Sequence, residues 1–190
     1  SNLIMKNFWS ENSKLITKLL LNQFGATFLG IMLVAAASTA GANKYTLMLL
    51  ASCFASFFYL FLIYNVVWER GGQDRIKIDG GRAERKPLTG LFVSLVSNIP
   101  NFILAALILI SQPFAANAEW AGNMNVVCRS ICLIWESMYA GFVSYFSPNN
   151  PIIHLLYVFP AVIVSTFGYM IGLANKKIFS FLDIKKSAKK

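Results

Sequence analysis

Charged side chains are scarce in this sequence: Asp, Glu, Lys and Arg make up 13% of its 190 residues, while 56% are hydrophobic. Soluble domains carry about 25% charged and about 45–50% apolar residues. The apolar residues form long runs with few or no charges, and a run of about 20 such residues is long enough for a helix to cross a bilayer. The composition therefore excludes an ordinary soluble domain. It predicts an all-α, polytopic integral membrane helix bundle that forms a single domain over residues 1–190.

Catalytic and cofactor-binding motifs are also absent. His154 is the only histidine, and neither H-E-x-x-H nor G-x-S-x-G occurs. The pairs Gly71-Gly72 and Gly80-Gly81 match neither the P-loop nor the dinucleotide-binding pattern. No cofactor is predicted, and an enzyme of a lipid-modifying type is the least favoured of the functional classes.

Cysteine is rare as well, and the three that occur lie in apolar runs. An odd number of cysteines in such a setting does not indicate a disulfide framework. Cys128 and Cys132 are one helical turn apart, a spacing that allows two ligands of one metal ion. No histidine or acid completes the set in sequence, so the pattern favours small packing residues and predicts no metal site.

Acidic residues are outnumbered, since 8 Asp and Glu stand against 17 Lys and Arg, for a net charge of +9. In a soluble protein this excess would suggest nucleic acid. In a membrane protein it indicates loops that face the cytoplasm and its anionic lipids. Membrane lipids are therefore the predicted partner, and nucleic acid is not.

Five apolar segments are candidates for membrane spans. They cover residues 15–40, 45–68, 91–110, 126–146 and 152–174. Residues 45–68 contain no charge, and 24 residues at about 1.5 Å each extend about 36 Å, more than the ~30 Å hydrocarbon core. The sequence predicts four or five transmembrane helices.

Two charged segments decide the predicted orientation. Loop 69–90 has six basic and four acidic residues, and tail 175–190 has six lysines and one acid. The glycine pairs predict a short hairpin in the loop around Ile76 and Ile78. The positive-inside rule places the N-terminus and the loop on the cytoplasmic side of the plasma or inner membrane.

Segment 126–146 is the best candidate for an apolar segment that does not cross. Five spans would put the basic tail outside, against the positive-inside rule. The segment contains Arg129 and Glu136 and precedes the uncharged turn SPNNP. If it is re-entrant or interfacial, four spans leave both termini in the cytoplasm; a chain of five spans is the alternative.

The same segment carries the first candidate site. An ionisable group at membrane depth costs roughly 2.5–3.5 kcal/mol, so it usually has a partner. Arg129 and Glu136 are seven residues apart, on one helical face, with Asn125, Ala140 and Ser144 in the same stripe. The stripe predicts a site for an ion or anionic solute, a structural charge pair that fixes helix packing, or charges at the membrane interface. Glu136 is expected to pair with Arg129 or with a cationic group on another helix.

The motif SNIPN in residues 91–110 is the second candidate. Pro100 removes an amide donor and frees carbonyls of the preceding turn. Asn98 and Asn101 then either satisfy this backbone or contact a solute, as at the broken helices of transporters. His154, at the start of the last segment, is predicted to be an interfacial surface residue.

Other polar and small residues predict contacts between helices. Asn22 and Gln23 are expected to bond to a neighbouring helix. Small residues four apart allow helices to approach closely. Such pairs are Ala26 and Gly30, Ala36 and Ala40, and Ser52 and Ser56.

The leading functional hypothesis is a membrane protein that binds or transports a small solute or ion, alone or as a subunit of a larger transporter. Its candidate binding residues are Asn98, Asn101, Arg129 and Glu136. Because no nucleotide-binding motif occurs, transport driven by ATP would need a separate ATPase chain.

The rival hypothesis is a scaffold subunit that transports nothing and docks other membrane subunits through its basic loop and tail. The candidate docking residues are Arg82, Arg85 and Lys86. The two hypotheses differ in which residues matter: the polar groups within the spans, or the charges outside them.

Overall fold

The computed structural model describes residues 2–146 and 150–175, with side chains from Lys6 onward, and its regular structure within these ranges is helical. The α-helices are α1 (Asn2–Ser38), α2 (Lys44–Asp79), α3 (Thr89–Ser97), α4 (Ile99–Ser111), α5 (Glu119–Trp135), α6 (Ala140–Phe146), α7 (Ile152–Leu156) and α8 (Val158–Leu173). Short 3-10 turns occupy Gly41–Asn43, Gln112–Phe114 and Ser137–Tyr139. The lysines of the basic tail lie outside the described residues.

Three described stretches are long and apolar enough to cross a bilayer: Lys6–Ser38, Gly41–Asp79 and Ile152–Leu173. Two bent pairs raise the number to five if each is one span; α3 and α4 meet at 56°, and the α5 segment and the one after it at 86°. Large apolar side chains such as Phe57 and Phe167 cover the outer surface. The prediction of an all-helical bundle of several apolar segments is confirmed, with three to five candidate membrane-spanning segments.

The predicted hairpin around Ile76 and Ile78 is wrong, because α2 continues through this region. An ion pair between Arg70 Nε and Asp74 Oδ2, 2.8 Å, spans one helical turn there, and a second pair of the same spacing follows. Such i,i+4 pairs support a helix after its apolar residues end. Gly71 is tolerated within the helix because a Cβ there would collide with the backbone of α8.

Proline positions explain two of the helix interruptions. Pro100 is the second residue of α4 and Pro160 the third of α8. Proline fits the first turn of a helix, where its missing N–H leaves no bond unmade. The predicted break at SNIPN is confirmed at Asn98, and the predicted 152–174 segment is divided at Tyr157 into α7 and α8.

One end of the bundle, which we call the charged end, is marked by Glu11, Arg70 and Asp74. Arg70 Nη2 donates to the Glu11 carbonyl at 3.2 Å, so α1 starts where α2 ends. Tyr169 Oη donates to Asp74 Oδ2 at 3.0 Å, which brings the last turns of α8 to the same end.

Helices α2 and α8 run parallel. Ser56 Oγ, in the middle of α2, donates to the Met138 carbonyl at 3.1 Å. The next residue, Tyr139, stacks on Tyr157 with ring centroids 4.9 Å apart, and Tyr157 immediately precedes α8. The middle of α2 thus lies beside the start of α8, and both helices end at the charged end.

Residues 119–146 enter the bundle from the opposite end and turn back. Asn125 Nδ2 donates to Ser111 Oγ at 3.0 Å, and Trp135 Nε1 donates to Asn101 Oδ1 at 2.7 Å. Helix α5 therefore runs antiparallel to α4, toward the charged end. The amide of Gly141 then donates to Ser52 Oγ at 2.7 Å, one turn nearer the start of α2 than Met138, so α6 leads away from the charged end.

The spacings of small residues have different outcomes. Ala26, Gly30, Ser52 and Ser56 are buried, and Ala36 is exposed. A close contact that the sequence analysis missed involves Gly168 and Gly172 of α8, where a Cβ would collide with α2. The spacing G-x-x-x-G was the signal available for it.

Candidate functional site

The sharp turn after α5 is built without proline. Thr27 Oγ1 of α1 donates to the Trp135 carbonyl at 2.7 Å, and Ser137 Oγ returns a bond to the Thr27 carbonyl at 2.7 Å. From the other side, Ser56 of α2 donates to the Met138 carbonyl. Irregular backbone is tolerated at membrane depth where protein groups satisfy it. Hydroxyl groups of α1 and α2 do this here.

Two glycines let the helices come close enough for these bonds. A Cβ at Gly30 would collide with the backbone of Ser137 and Met138. A Cβ at Gly141 would collide with the carbonyl of Met48. The turn is therefore held by close backbone packing as well as by hydrogen bonds.

Glu136, at the turn itself, faces His154 of α7. Both are 5% exposed, and Glu136 Oε2 lies 3.6 Å from His154 Nδ1. The prediction that His154 is an interfacial surface residue is wrong, because the fold carries α7 against the turn. Of the two partners predicted for Glu136, the group on another helix is the one found at this distance.

Arg129 makes its bonds toward the end of α4. Its Nε donates to Asn125 Oδ1 at 2.8 Å, and its Nη2 donates to Gln112 Oε1 at 2.9 Å. Asn125 in turn donates to Ser111 Oγ. The Arg129 guanidinium thus stabilises the contact between α4 and α5.

Cys132 lies one turn before Glu136 and completes a cluster. The thiol sulfur of Cys132, a Glu136 carboxylate oxygen and a His154 ring nitrogen all lie within 4.8 Å of one another, and the three residues are buried. The reason given for predicting no metal site, that no histidine or acid joins the cysteines, is therefore wrong for Cys132. Cys128, one turn earlier, is buried beside Ile108.

A cavity of about 280 Å³ opens beside this cluster. Its polar lining includes Arg129, Cys132, Glu136, Tyr139, Ser144 and His154. Four members of the predicted stripe, Arg129, Glu136, Ala140 and Ser144, therefore face one space even though the helix bends between them. Because of the bend, the side chains of the stripe line a concave surface rather than one face of a straight helix.

Two buried polar atoms at the cavity lack a hydrogen-bond partner among the described residues: His154 Nδ1 and Tyr139 Oη. Tyr139 is 6% exposed. Buried polar groups are almost always paired, and an unpaired one calls for an explanation such as an ion or water. The cavity supplies the room for such a group.

The other predicted site residues, Asn98 and Asn101, lie elsewhere. Asn101 Nδ2 donates to Asn98 Oδ1 at 2.8 Å and to Gln23 Oε1 at 3.2 Å. Its Oδ1 accepts from Gln23 Nε2 at 3.0 Å and from Trp135 Nε1 at 2.7 Å. Asn98 and Asn101 are not among the residues that line the cavity. Their amides join α1, α4 and α5, and Gln23 makes the contact between helices predicted for it.

The predicted docking residues lie on the connection between α2 and α3. Residues 80–88 are exposed, including Arg82, Arg85 and Lys86. Lys86 Nζ lies 4.0 Å from Glu11 Oε2. This contact places the connection near the charged end.

Three residues at the cavity were not among the predicted site residues: the cluster members Cys132 and His154, and the neighbouring Tyr139. A signal existed for two of them. Glu136 is the only acid within the five apolar segments, and His154 is the only histidine of the chain. Two such rare groups in apolar surroundings are candidates for each other's partner. Cys132 was considered only together with Cys128, although it also lies one helical turn before Glu136, and nothing in the local sequence marks Tyr139.

Fold and site together define a helical protein with three to five candidate membrane-spanning segments and a buried thiol, carboxylate and imidazole beside a cavity. Comparisons with models of protein families, with curated proteins and with solved structures give no match for this chain.

Proposed function

We propose that this protein binds a small polar solute or ion in the cavity beside Glu136, as a transporter or as the solute-binding subunit of one. The observation that carries the proposal is the pair Glu136 and His154, buried at 3.6 Å beside a cavity. Ionisable groups inside membrane segments are costly, and they mark ion and substrate pathways. A purely structural pair would favour close packing rather than a cavity.

The proposal includes a topology of four spans, namely α1, α2, the α3–α4 pair and the α7–α8 pair, with residues 119–146 re-entrant. Helices α2 and α8 are parallel, so an odd number of crossings joins the end of α2 to the start of α8. Because α3–α4 supplies one, α5 and α6 together supply none. The 86° bend and the hydroxyl-satisfied turn support this reading. By the positive-inside rule the charged end is cytoplasmic.

Site-directed labelling tests the topology. Cysteines introduced at Gln73 and Asn175, in a Cys53→Ser background, should react with an impermeant maleimide from the same side of oriented vesicles. The predicted position of the basic tail, which lies outside the described residues, follows from the same result. Labelling from opposite sides would overturn the four-span proposal in favour of an odd number of crossings.

A cavity-filling variant tests the function. Purified protein in detergent is screened by thermal unfolding against small cations, anions and zwitterions. We expect at least one to raise the midpoint in wild type and in Val127→Phe, whose side chain replaces an exposed residue of α5. The same ligand should have no effect on Ser144→Phe, which fills the cavity. Equal responses of both variants would place binding elsewhere and contradict the proposal.

The scaffold function is the second candidate, and the exposed basic connection at 80–88 is the observation that favours it. Charge reversal at Arg82 and Arg85 would release a docked subunit, measured by co-purification from native membranes. The proposed solute-binding function expects the ligand-induced stabilisation to persist in this variant. If charge reversal releases a partner, and ligand-induced stabilisation is the same in wild type and in every cavity variant, docking is the better description of the function.

A further inference from the structure

The three clustered side chains offer donor atoms of a particular kind. Thiolate, imidazole and carboxylate are the ligands of Zn²⁺ and similar transition metals, whereas Mg²⁺ and Ca²⁺ prefer oxygen atoms alone. Cys132, Glu136 and His154 supply one donor of each kind within 4.8 Å. The chemistry of the set therefore selects a borderline or soft divalent ion.

The distance between the carboxylate and the imidazole suits two ligands of one metal ion better than a direct hydrogen bond. Glu136 Oε2 and His154 Nδ1 are 3.6 Å apart, too far for a good hydrogen bond. Two ligand atoms about 2.0 Å from a tetrahedral zinc ion lie about 3.3 Å from each other. A shift of a few tenths of an ångström would bring this pair to that separation. His154 Nδ1, which has no hydrogen-bond partner among the described residues, is the nitrogen that faces the carboxylate.

The surroundings hold the three donors in place. The Glu136 amide donates to the Cys132 carbonyl at 2.8 Å, so the last turn of α5 fixes the two residues relative to each other. The stacked rings of Tyr139 and Tyr157 hold the start of α8 against the turn, with His154 one helical turn earlier. The three donor side chains would therefore be largely in position before a metal ion binds.

Charge and coordination number also agree. A thiolate and a carboxylate together neutralise a divalent cation, which removes the cost of burying either anion alone. Three protein ligands leave one tetrahedral position open, as in zinc sites that exchange a ligand. The cavity adjoins the three donors, and the buried Tyr139 hydroxyl lines it with them.

The geometry points to an exchangeable Zn²⁺-type site formed by Cys132, Glu136 and His154. This inference rests on the proposed function and names its solute as a transition-metal ion.

Cobalt titration tests the site, because a Co²⁺–thiolate bond has its own near-ultraviolet absorption. Metal-free protein in detergent should bind one equivalent of Co²⁺ with this absorption, and Zn²⁺ should abolish it. Loss of a group that merely supports a metal ligand typically costs about 10–100-fold in affinity. Cys132→Ser, Glu136→Gln and His154→Gln should therefore each weaken Zn²⁺ binding at least about tenfold, and Cys132→Ser should remove the thiolate absorption.

Matched controls separate ligation from general effects. Cys128→Ser changes the other buried cysteine of α5, and Glu119→Gln changes an exposed acid of the same helix. Both should bind like wild type. Wild-type protein provides a measurement that does not depend on folding of a variant: Zn²⁺ should protect Cys132, identified by mass spectrometry, from alkylation. Unprotected Cys132, or affinity unchanged in all three ligand variants, would overturn the metal site.

The Ser144→Phe and Zn²⁺ measurements together distinguish failure of the metal site from failure of the proposed solute-binding function. If another solute stabilises wild type but not Ser144→Phe, while Zn²⁺ neither binds nor protects Cys132, the metal site falls and the cavity function stands. If every ligand stabilises Ser144→Phe as it does wild type, and Zn²⁺ neither binds nor protects Cys132, both fall.

Discussion

Residues 2–146 contain two sharp helix breaks with polar residues, one at Asn98 between α3 and α4 and one at Glu136 after α5. The first follows from Pro100, and its polar groups bond to one another. The second has no proline and is held by hydroxyls of α1 and α2, while its own carboxylate faces a cavity. The second break is also bent more sharply, at 86° against 56°, but the difference that bears on a site is where the polar groups point.

This difference separates a structural break from a candidate site. At Asn101 both amide atoms are bonded to protein groups, which leaves little for a solute. At Glu136 the neighbouring His154 Nδ1 and Tyr139 Oη have no hydrogen-bond partner among the described residues. Polar groups that are all bonded to one another, as at Asn101, stabilise the fold. Polar groups without protein partners, as beside Glu136, are able to bind a solute.

The largest effect on stability is expected at the break at Asn98, whose polar groups are all bonded to protein. Asn101→Ala leaves Gln23, Trp135 and Asn98 without their partner, at about 1–3 kcal/mol for each buried group left unpaired. We expect much of the folded protein to be lost, measured by gel filtration and thermal unfolding in detergent. Asn22→Ala is the control, because the Asn22 Nδ2 atom has no partner among the described residues. Normal folding of Asn101→Ala with impaired ligand binding would reverse the roles assigned to the two breaks.

The next largest effect on stability is expected where α1 packs against the turn at Glu136. Gly30→Ala puts a methyl group into the Ser137–Met138 backbone, and overpacking of this kind costs about 1–3 kcal/mol. Gly25→Ala, on the same helix with nothing within 4 Å, should leave the unfolding midpoint unchanged or raise it slightly. Similar midpoints for the two variants would mean that α1 does not hold the turn.

A smaller effect on stability, but a specific one on binding, is expected at Glu136. Glu136→Gln keeps the shape of the side chain and removes its charge beside His154. It should lower stability by on the order of 1 kcal/mol and weaken ligand binding, because a buried group has lost its partner. Glu119→Gln at an exposed position should do neither. Equal tolerance of both changes in unfolding and binding measurements would show that Glu136 is unimportant.

The smallest effect is expected at the charged end, where polar groups are paired but reach the solvent. Tyr169→Phe removes the hydrogen bond to Asp74 Oδ2, but this partly exposed carboxylate keeps its ion pairs with Arg70 and Lys77. The loss should therefore lie at the lower end of the range for a hydrogen bond, about 0.5 kcal/mol. The control is Tyr145→Phe at an exposed position. A loss larger than that of Gly30→Ala would mean that the charged end, rather than the buried turn, holds the bundle together.

Much of the fold follows from local sequence. Long uncharged runs predict the helices, and Pro100 predicts the break at Asn98, because proline acts on its own turn. The continuation of α2 to Asp79 was not predicted, since two glycine pairs indicated a turn there. The packing of Gly71 against α8, a contact between distant parts of the chain, overrides that local tendency.

The candidate site was predicted only in part. Arg129 and Glu136 follow from one periodic stripe, because helical spacing is a local property. His154 reaches Glu136 only because residues 119–146 turn back toward the end from which they entered. That turn depends on Thr27, Gly30 and Ser56, which lie on other helices. Contacts of this kind have no signature in the sequence of the segment that they bend.

A density map of the protein purified from membranes tests the contrast between the two breaks most directly. The account predicts non-protein density in the cavity, against Cys132, Glu136 and His154, and continuous side-chain contacts with no added density around Asn98 and Asn101. Density for a solute between Asn98 and Asn101, with the cavity at Glu136 closed by protein side chains, would contradict it.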